Sequence, residues 1–180
     1  MTIGRRPTFR DPRGFTMIEL CIVIIVIAIL IAASVAALLR ARMAANESAA
    51  IGGLRATASG QFAYSSGCGQ GNYATSYLIL GTKPAPNSQG YIAEQLGSAA
   101  SPSTGGYTYS LSMGAGGAAS SNDCNGNPTM TKWYASAIPN VPGQTGDRSF
   151  AVNQGGSVYQ SFDSTPPDEP FEPPDQLASQ

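Results

Sequence analysis

Apolar residues run almost without interruption over residues 15–39, close to the beginning of the chain. This run has about 25 residues and as a helix would span roughly 37 Å, enough to cross the hydrocarbon core of a membrane with some tilt. An ordinary secretory signal peptide has a shorter apolar region that ends in a cleavage site of small residues, so that interpretation fits poorly. The pattern therefore predicts a transmembrane helix over residues 15–39.

The helical pattern continues beyond this apolar run. Apolar residues recur at spacings of three and four, as on one face of an amphipathic helix, at Ile51, Leu54, Ala58 and Phe62. The helix is predicted to continue over residues 40–66, because a cluster of serines and glycines at 65–72 then breaks it. Gly52 and Gly53 weaken its middle, where they either allow a bend or let a sheet pack closely. The sequence leaves both alternatives open.

A two-residue alternation of larger apolar and small polar side chains replaces the helical period in the second half of the chain. It predicts half-buried strands at Tyr107–Met113, 132–138, 149–152 and 157–161. Such strands form an antiparallel meander, whose apolar face the second half of the long helix can cover. The predicted fold class is α+β, with a long N-terminal helix packed against a small antiparallel sheet of three to four strands. The sheet belongs to a globular domain predicted over residues 67–163.

Charge is distributed unevenly, although the net charge is only -1. The arginines at the beginning of the chain are Arg5, Arg6, Arg10 and Arg13. Positive residues beside a membrane segment stay on the cytoplasmic side, so residues 1–14 are predicted to be a basic leader inside the cell. The opposite end, residues 164–180, is so acidic and proline-rich that we expect it to be disordered or extended rather than packed.

The chain has three cysteines. Cys21 lies in the apolar run, whereas Cys68 and Cys124 fall in polar sequence beyond it. If that sequence lies outside the cytoplasm, Cys68 and Cys124 are the natural disulfide pair, and the closed loop is worth roughly 2–4 kcal/mol. Two unpaired thiols are the alternative.

Histidine is absent, and only 12% of the residues are charged. Without histidine the usual nucleophile–base pair cannot form, so we expect no catalytic residues and no enzymatic activity. Residues 122–127 hold one carboxylate, Asp123, which is too few for a calcium site, so the segment is interpreted as a turn and no metal or cofactor is predicted. No nucleic-acid partner is predicted either, because the cations of the domain are widely separated: Lys83, Lys132 and Arg148.

Glu19 lies within the apolar run, where a charged side chain costs roughly 2.5–3.5 kcal/mol. Such a residue is a functional candidate by default. Together with the basic leader that ends in Gly14, the segment 14–20, Gly-Phe-Thr-Met-Ile-Glu-Leu, closely resembles the class III signal of type IV prepilins and type II secretion pseudopilins. The close likeness covers about 25 residues, and the long helix followed by a small sheet extends it weakly to the whole chain.

This resemblance implies a membrane peptidase that cuts between Gly14 and Phe15 and methylates the new amine of Phe15. It also implies that Glu19 of one subunit neutralises the Phe15 ammonium of the next, which would align the subunits of a filament. Two alternatives stay open: Glu19 pairs only with its own Phe15 amine, or the segment is an uncleaved signal anchor. Unlike many pilins, the chain has no proline over residues 15–64.

The function implied by the resemblance is that of a structural subunit, a prepilin of a type IV pilus or a related pseudopilus. Its expected partners are other pilin subunits, the prepilin peptidase, and an inner-membrane assembly platform with its ATPase. The precursor would cross the inner membrane once, and the processed chain would form an extracellular or periplasmic filament. The alternative is a membrane-anchored extracytoplasmic binding module, or a minor pilin with a role in adhesion, DNA uptake or secretion.

Overall fold

The computed structural model describes residues 14–82, 89–171 and 176–178. Most of the predicted leader and part of the predicted tail lie outside the described residues. The chain divides into two compact units, Met1–Leu38 and Leu39–Gln180. Helix α1 (Met17–Ser66) contributes residues to both units. Its bounds confirm the predicted long helix.

The first unit presents an exposed apolar helix. The mean hydropathy of α1 reaches 3.3 over an 18-residue window, and none of that window is buried. By length and composition, α1 is the one helix among the described residues that can cross a membrane. Because large side chains such as Ile24 and Leu30 are exposed, this segment needs lipid or other apolar helices around it.

The second unit combines the rest of α1 with two short helices and several strands. The short helices are α2 (Tyr77–Gly81) and α3 (Glu94–Gly97). The strands, in chain order, are β1 (Tyr73–Ala74), β2 (Ser103–Thr104), β3 (Tyr107–Met113), β4 (Ala119–Ser120), β5 (Thr129–Met130), β6 (Trp133–Pro139), β7 (Ser149–Asn153), β8 (Val158–Ser161) and β9 (Gln176–Leu177).

These strands form two antiparallel sheets. The larger sheet has six strands in the order β2-β3-β6-β7-β8-β9, and the smaller has three in the order β1-β5-β4. The α+β fold class is confirmed, and the four predicted strands correspond to β3, β6, β7 and β8. The larger sheet exceeds the expected three to four strands, because β2 and β9 have two residues each, too few to show an alternating pattern.

One face of α1 packs into the hydrophobic core of the second unit. The buried apolar residues of that face are Ala50, Ile51, Leu54, Ala58 and Tyr64. From the larger sheet the core receives Tyr107, Tyr109, Trp133, Phe150 and Val152. The predicted stripe is wrong at Phe62, which is 47% exposed. Gln61 takes the buried position instead, because its amide donates to the Ala74 carbonyl and accepts from the Ala74 N–H, both at 2.9 Å.

Gly53 lets the larger sheet approach α1 closely. A Cβ at Gly53 would lie 2.7 Å from the Tyr109 hydroxyl oxygen, whereas a Cβ at Gly52 would meet nothing within 4 Å. The Tyr109 ring is buried and meets the Tyr77 ring edge to face, with centroids 6.2 Å apart. Of the two alternatives that the sequence leaves open for this glycine pair, close packing is therefore observed, at Gly53.

A disulfide joins Cys68, just after α1, to Cys124, in the loop between β4 and β5. The two Cα atoms are 4.9 Å apart, a separation that a disulfide spans. The Cys124 N–H also donates to the Cys68 carbonyl at 3.0 Å. The predicted pair is confirmed, and it ties the end of the helix to the smaller sheet.

The acidic end of the chain packs on the larger sheet. Strand β9 pairs with β8, Pro167 is buried, and the Phe171 ring stacks on Tyr159 with centroids 4.2 Å apart. The expectation of a tail too acidic and proline-rich to pack is therefore wrong for its described residues, 164–171 and 176–178. Composition alone gives the wrong prediction for this segment, because Pro167 and Phe171 make apolar contacts although charged residues surround them in the sequence.

Candidate functional site

The segment that resembles a processing signal lies at the beginning of α1. Residues 14–16 are not helical, and α1 begins at Met17. A Cβ on Gly14 would meet nothing within 4 Å, and Phe15 is 76% exposed. The peptide bond between Gly14 and Phe15 thus lies in open, non-helical chain, the form in which a peptidase takes its substrate.

Thr16 caps the helix. The Glu19 N–H donates to the Thr16 hydroxyl at 3.3 Å, and the Thr16 N–H donates to Glu19 Oε2 at 2.9 Å. This reciprocal pair is a capping box, in which a threonine and a glutamate three residues later each satisfy a free N–H of the other. The spacing Thr-x-x-Glu in the sequence is itself a signal of a helix start, and it is the local pattern by which Thr16 can be found.

Glu19 therefore has a local partner in the uncut chain. The Thr16 hydroxyl also donates to Glu19 Oε2, at 2.7 Å, so both donations from Thr16 reach one carboxylate oxygen. Within the described part of the chain, no hydrogen bond reaches Oε1, which leaves it open to a donor from another molecule. The positive end of the helix dipole favours a carboxylate here. Pairing with a Phe15 amine stays a prediction, because Phe15 carries a peptide nitrogen before the cut.

The rest of the segment is an apolar helix. Ser34 donates its hydroxyl to the Leu30 carbonyl at 2.7 Å, so this polar group is satisfied inside the helix, as a membrane requires. Cys21 is a free, exposed cysteine of the same helix. Glu19 is the single charged side chain in the sequence over residues 15–39. Residues 15–39 therefore offer Glu19 no oppositely charged side chain.

A second charged group joins α1 to the loop before β7. On Glu47, which is 8% exposed, Oε2 accepts from the Arg148 guanidinium at 2.6 Å and Oε1 accepts from the Asp147 N–H at 2.9 Å. Burial by itself raises the pKa of Glu47, but the bonds from Arg148 and Asp147 and the charge of Arg148 together hold that pKa below its ordinary value. No local pattern predicts this contact, since Glu47 and Arg148 are 101 residues apart.

The asparagine-rich segment 122–127 is a turn organised by Asp123. The Asp123 carboxylate accepts from the Tyr64 hydroxyl at 2.7 Å and from the N–H groups of Asn125 and Asn127 at 2.8 and 2.7 Å. Burial raises the pKa of Asp123, but these bonds outweigh burial and hold the pKa below its ordinary value. Protein donors thus occupy the carboxylate. Among the described residues, no group of three or more His, Cys, Asp or Glu side chains could hold a metal ion.

Comparison with known proteins identifies the N-terminal segment. A family model described as the prokaryotic N-terminal methylation motif matches residues 10–35. The chain therefore carries the class III signal of type IV prepilins, and the resemblance is confirmed for this segment, which includes Gly14, Phe15, Thr16 and Glu19. A search of curated proteins and a search of solved structures found no match.

Proposed function

We propose that this chain is a prepilin, the precursor of a structural subunit that polymerises through α1 into a type IV pilus or a related pseudopilus. The observation that carries the proposal is the methylation motif at residues 10–35, which coincides with an exposed, non-helical peptide bond after Gly14 and an apolar helix behind it. The same motif supports a structural rather than an enzymatic role, because the family that carries it is structural.

In the proposed processing step, the prepilin peptidase hydrolyses the bond between Gly14 and Phe15 on the cytoplasmic side of the membrane. Gly14 has no side chain to obstruct the cleft, and the bond lies before the first helical turn. Water adds across the bond, so the leader departs with a new carboxylate and Phe15 keeps a new amine. After methylation this amine still carries a positive charge at neutral pH.

Glu19 is the proposed partner of that charge. In apolar surroundings opposite charges attract more strongly than in water, so the Phe15 ammonium of an incoming subunit binds the Glu19 carboxylate of a subunit already in the filament. The hydrogen bonds from Thr16 support this role, because they hold the carboxylate at the helix end and leave Oε1 open. The exposed apolar side chains of residues 17–38 then pack on neighbouring helices instead of lipid.

The proposed location follows from charge and redox chemistry. The arginine-rich leader keeps the N-terminus of the precursor in the cytoplasm, and α1 holds the precursor in the inner membrane. The disulfide between Cys68 and Cys124 supports an extracytoplasmic position for the second unit, because disulfides persist in oxidising compartments. Other subunits, the prepilin peptidase, the assembly platform and its ATPase are the proposed partners.

The assembly role is tested with Glu19→Val. We expect this variant to insert into the membrane normally but to reduce sheared filaments at least about tenfold, because losing a charge pair in apolar surroundings costs more than about 1.4 kcal/mol. Ser34→Ala is the matched control, since the Ser34 hydroxyl bonds only within its own helix. Immunoblots of the membrane fraction and of the sheared surface fraction measure membrane insertion and filament yield. Normal filament yield from Glu19→Val contradicts the assembly role.

The processing step is tested separately, by N-terminal sequencing and mass spectrometry of the assembled chain. We expect Phe15 to be the first residue and to carry one additional methyl group. An assembled chain that still begins at Met1 contradicts the proposed cut. A processed chain that never enters sheared filaments favours the membrane-anchored binding module instead.

A further inference from the structure

The described residues that follow β8, up to Phe171, fold back over the larger sheet. Strands β8 and β9 pair antiparallel, with Tyr159 opposite Leu177, so the chain leaves the sheet after β8 and returns beside it. We call residues 163–171 the flap. The flap begins two residues after β8 and contains no strand residue, so it can leave the sheet without breaking the pairing of β8 with β7.

The flap contacts the face of the sheet opposite the core. Strand alternation places Tyr134 and Ser136 of β6 on that outer face, because the intervening Ala135 belongs to the core. Ser136 lies opposite Ala151 of β7, which in turn lies opposite Tyr159 of β8. Ser136 and Ala151 are buried. Two small residues therefore form the floor of a shallow trough, and two tyrosines flank it.

A proline and an aromatic ring of the flap meet these tyrosines. The Tyr134 hydroxyl donates to the carbonyl of Pro167 at 2.6 Å, and Pro167 itself is buried. The Phe171 ring stacks on Tyr159 at 4.2 Å between centroids, with 20° between the ring planes. It also lies 6.3 Å from the Tyr134 ring. The flap thus fills the trough with a proline held by one hydrogen bond and an aromatic ring held by stacking.

Polar contacts at the margins hold the flap in this position. One Glu169 oxygen accepts from the Asn153 side-chain amide at 2.6 Å, and the other accepts from the Ala115 N–H at 2.5 Å. The Ser149 hydroxyl donates to the carbonyl of Asp163. Apart from Ser149, which is buried, these groups are partly or fully exposed, so water can replace their bonds when the flap leaves.

The arrangement is the one by which proteins bind proline-rich segments. Here the Tyr134 hydroxyl donates to a proline carbonyl and Tyr159 receives an aromatic ring, and a proline suits such a site because its ring fixes the backbone and lowers the entropy lost on binding. Among the described residues, no flap residue belongs to the hydrophobic core cluster. Removing the flap therefore leaves the core intact and uncovers the trough.

We propose that this outer trough is a docking surface for an extended peptide segment that carries a proline and, four residues later, an aromatic residue, and that the flap occupies it within the same chain. The flap is then an internal ligand that a second such segment must displace. Its own sequence, Asp-Ser-Thr-Pro-Pro-Asp-Glu-Pro-Phe, defines the chemistry of the partner. The proposal does not depend on filament assembly, so it stands or fails separately from the proposed function.

The test uses the full chain in detergent micelles with the flap replaced by a Gly-Ser linker of equal length, and a synthetic peptide of residues 163–171. We expect the peptide to bind this flapless chain. We expect binding to the intact chain to be at least about tenfold weaker, because a tethered segment competes at an effective concentration on the order of millimolar. In the flapless chain, Tyr134→Phe should weaken binding about fivefold through loss of one hydrogen bond.

A peptide with alanine in place of Pro167 and Phe171 is the matched control and should not bind. Failure of the native peptide to bind a flapless chain that unfolds cooperatively overturns the proposal, as does equal binding to the intact chain. If the flapless chain does not fold, Phe171→Ala in the intact chain replaces it. This variant should be cleaved within the flap several-fold faster by a protease while the rest of the domain resists; unchanged cleavage overturns the proposal.

Discussion

A single polar side chain, Gln61, completes the packing between α1 and the smaller sheet. Its amide is fully buried and pairs with both backbone groups of Ala74, much as a neighbouring strand would. An apolar residue here would match the hydrophobic stripe but would leave an N–H and a carbonyl without partners inside the core. The cost of such unpaired groups explains why a glutamine lies where the stripe suggests an apolar residue.

Replacing Gln61 tests this account. Gln61→Leu should lower the free energy of unfolding by about 1–3 kcal/mol, because both backbone groups of Ala74 lose their partners. The measurement is urea unfolding of the full chain in micelles, followed by the fluorescence of Trp133, the only tryptophan in the sequence, which is buried. Ser59→Ala on the exposed face of α1 is the control. Equal midpoints for the two variants would show that the amide contributes nothing.

The buried carboxylate of Glu47 makes stability depend on pH. The folded pKa lies below the ordinary value of 4.5, so the stabilisation is fully present above that value and is lost as the pH falls through the folded pKa. The free energy of unfolding of the parent chain should therefore exceed that of Glu47→Gln at pH 7, and the difference should shrink as the solution is made acidic. A difference that stays constant from neutral to acidic pH contradicts the assignment.

At the scale of elements, α1 has two neighbouring glycines with opposite surroundings. Gly53 faces the buried Tyr109 ring, whereas Gly52 faces open space. Both weaken the helix by a similar amount, so helix propensity alone does not explain the pair. The difference arises from packing: only the glycine under the tyrosine allows the sheet to reach the helix.

The two glycines thus provide a matched pair of variants. Gly52→Ala should raise the free energy of unfolding by up to about 1 kcal/mol, because alanine favours the helix and meets no other atom. Gly53→Ala should lower it by about 1–3 kcal/mol, because the added methyl group displaces a packed ring. Thermal unfolding followed by circular dichroism compares them. If both variants shift the unfolding midpoint in the same direction, close packing against Tyr109 does not explain why glycine occupies position 53.

At the scale of the whole molecule, the disulfide and the Asp123 turn together secure the loop between β4 and β5. The Asp123 carboxylate shapes the turn and bonds Tyr64 on α1, and the neighbouring Cys124 bonds Cys68 just beyond the same helix. A covalent and a polar connection therefore link one loop to one helix end. The hydrogen bonds of Asp123 do not involve the cysteine sulfur atoms, so we expect removal of the disulfide to destabilise the domain without changing its fold.

Cys68→Ser combined with Cys124→Ser tests the covalent part. The free energy of unfolding should fall by about 2–4 kcal/mol, because the unfolded chain regains the freedom that the closed loop removes. Reducing agent should lower the stability of the parent chain to the same extent and should leave the double variant unchanged. Cys21→Ser is the control and should have no effect, because this cysteine is free and exposed. A parent chain insensitive to reduction contradicts the prediction.

Local patterns alone predict the membrane-length helix, the methylation motif, four strands of the larger sheet and the fold class. Each of these depends on periodicity or on residues a few positions apart, so each is visible along the chain. The sequence also indicates the cysteine pair, because Cys68 and Cys124 both lie in polar sequence beyond the apolar run. The role of Thr16 is likewise recognisable from local sequence, since its partner Glu19 is three residues away.

Contacts between distant segments decide the rest. The Glu47–Arg148 pair, the exchange of Phe62 for Gln61 in the buried face, and the space that Gly53 leaves for Tyr109 all require the sheet to lie on the helix. The flap is the clearest example of a feature that contacts between distant segments decide. By composition it is an acidic, proline-rich tail, and only the folded sheet supplies the tyrosines and the amide that hold it. Composition records how many apolar groups a segment has, whereas tertiary structure determines whether a surface exists to receive them.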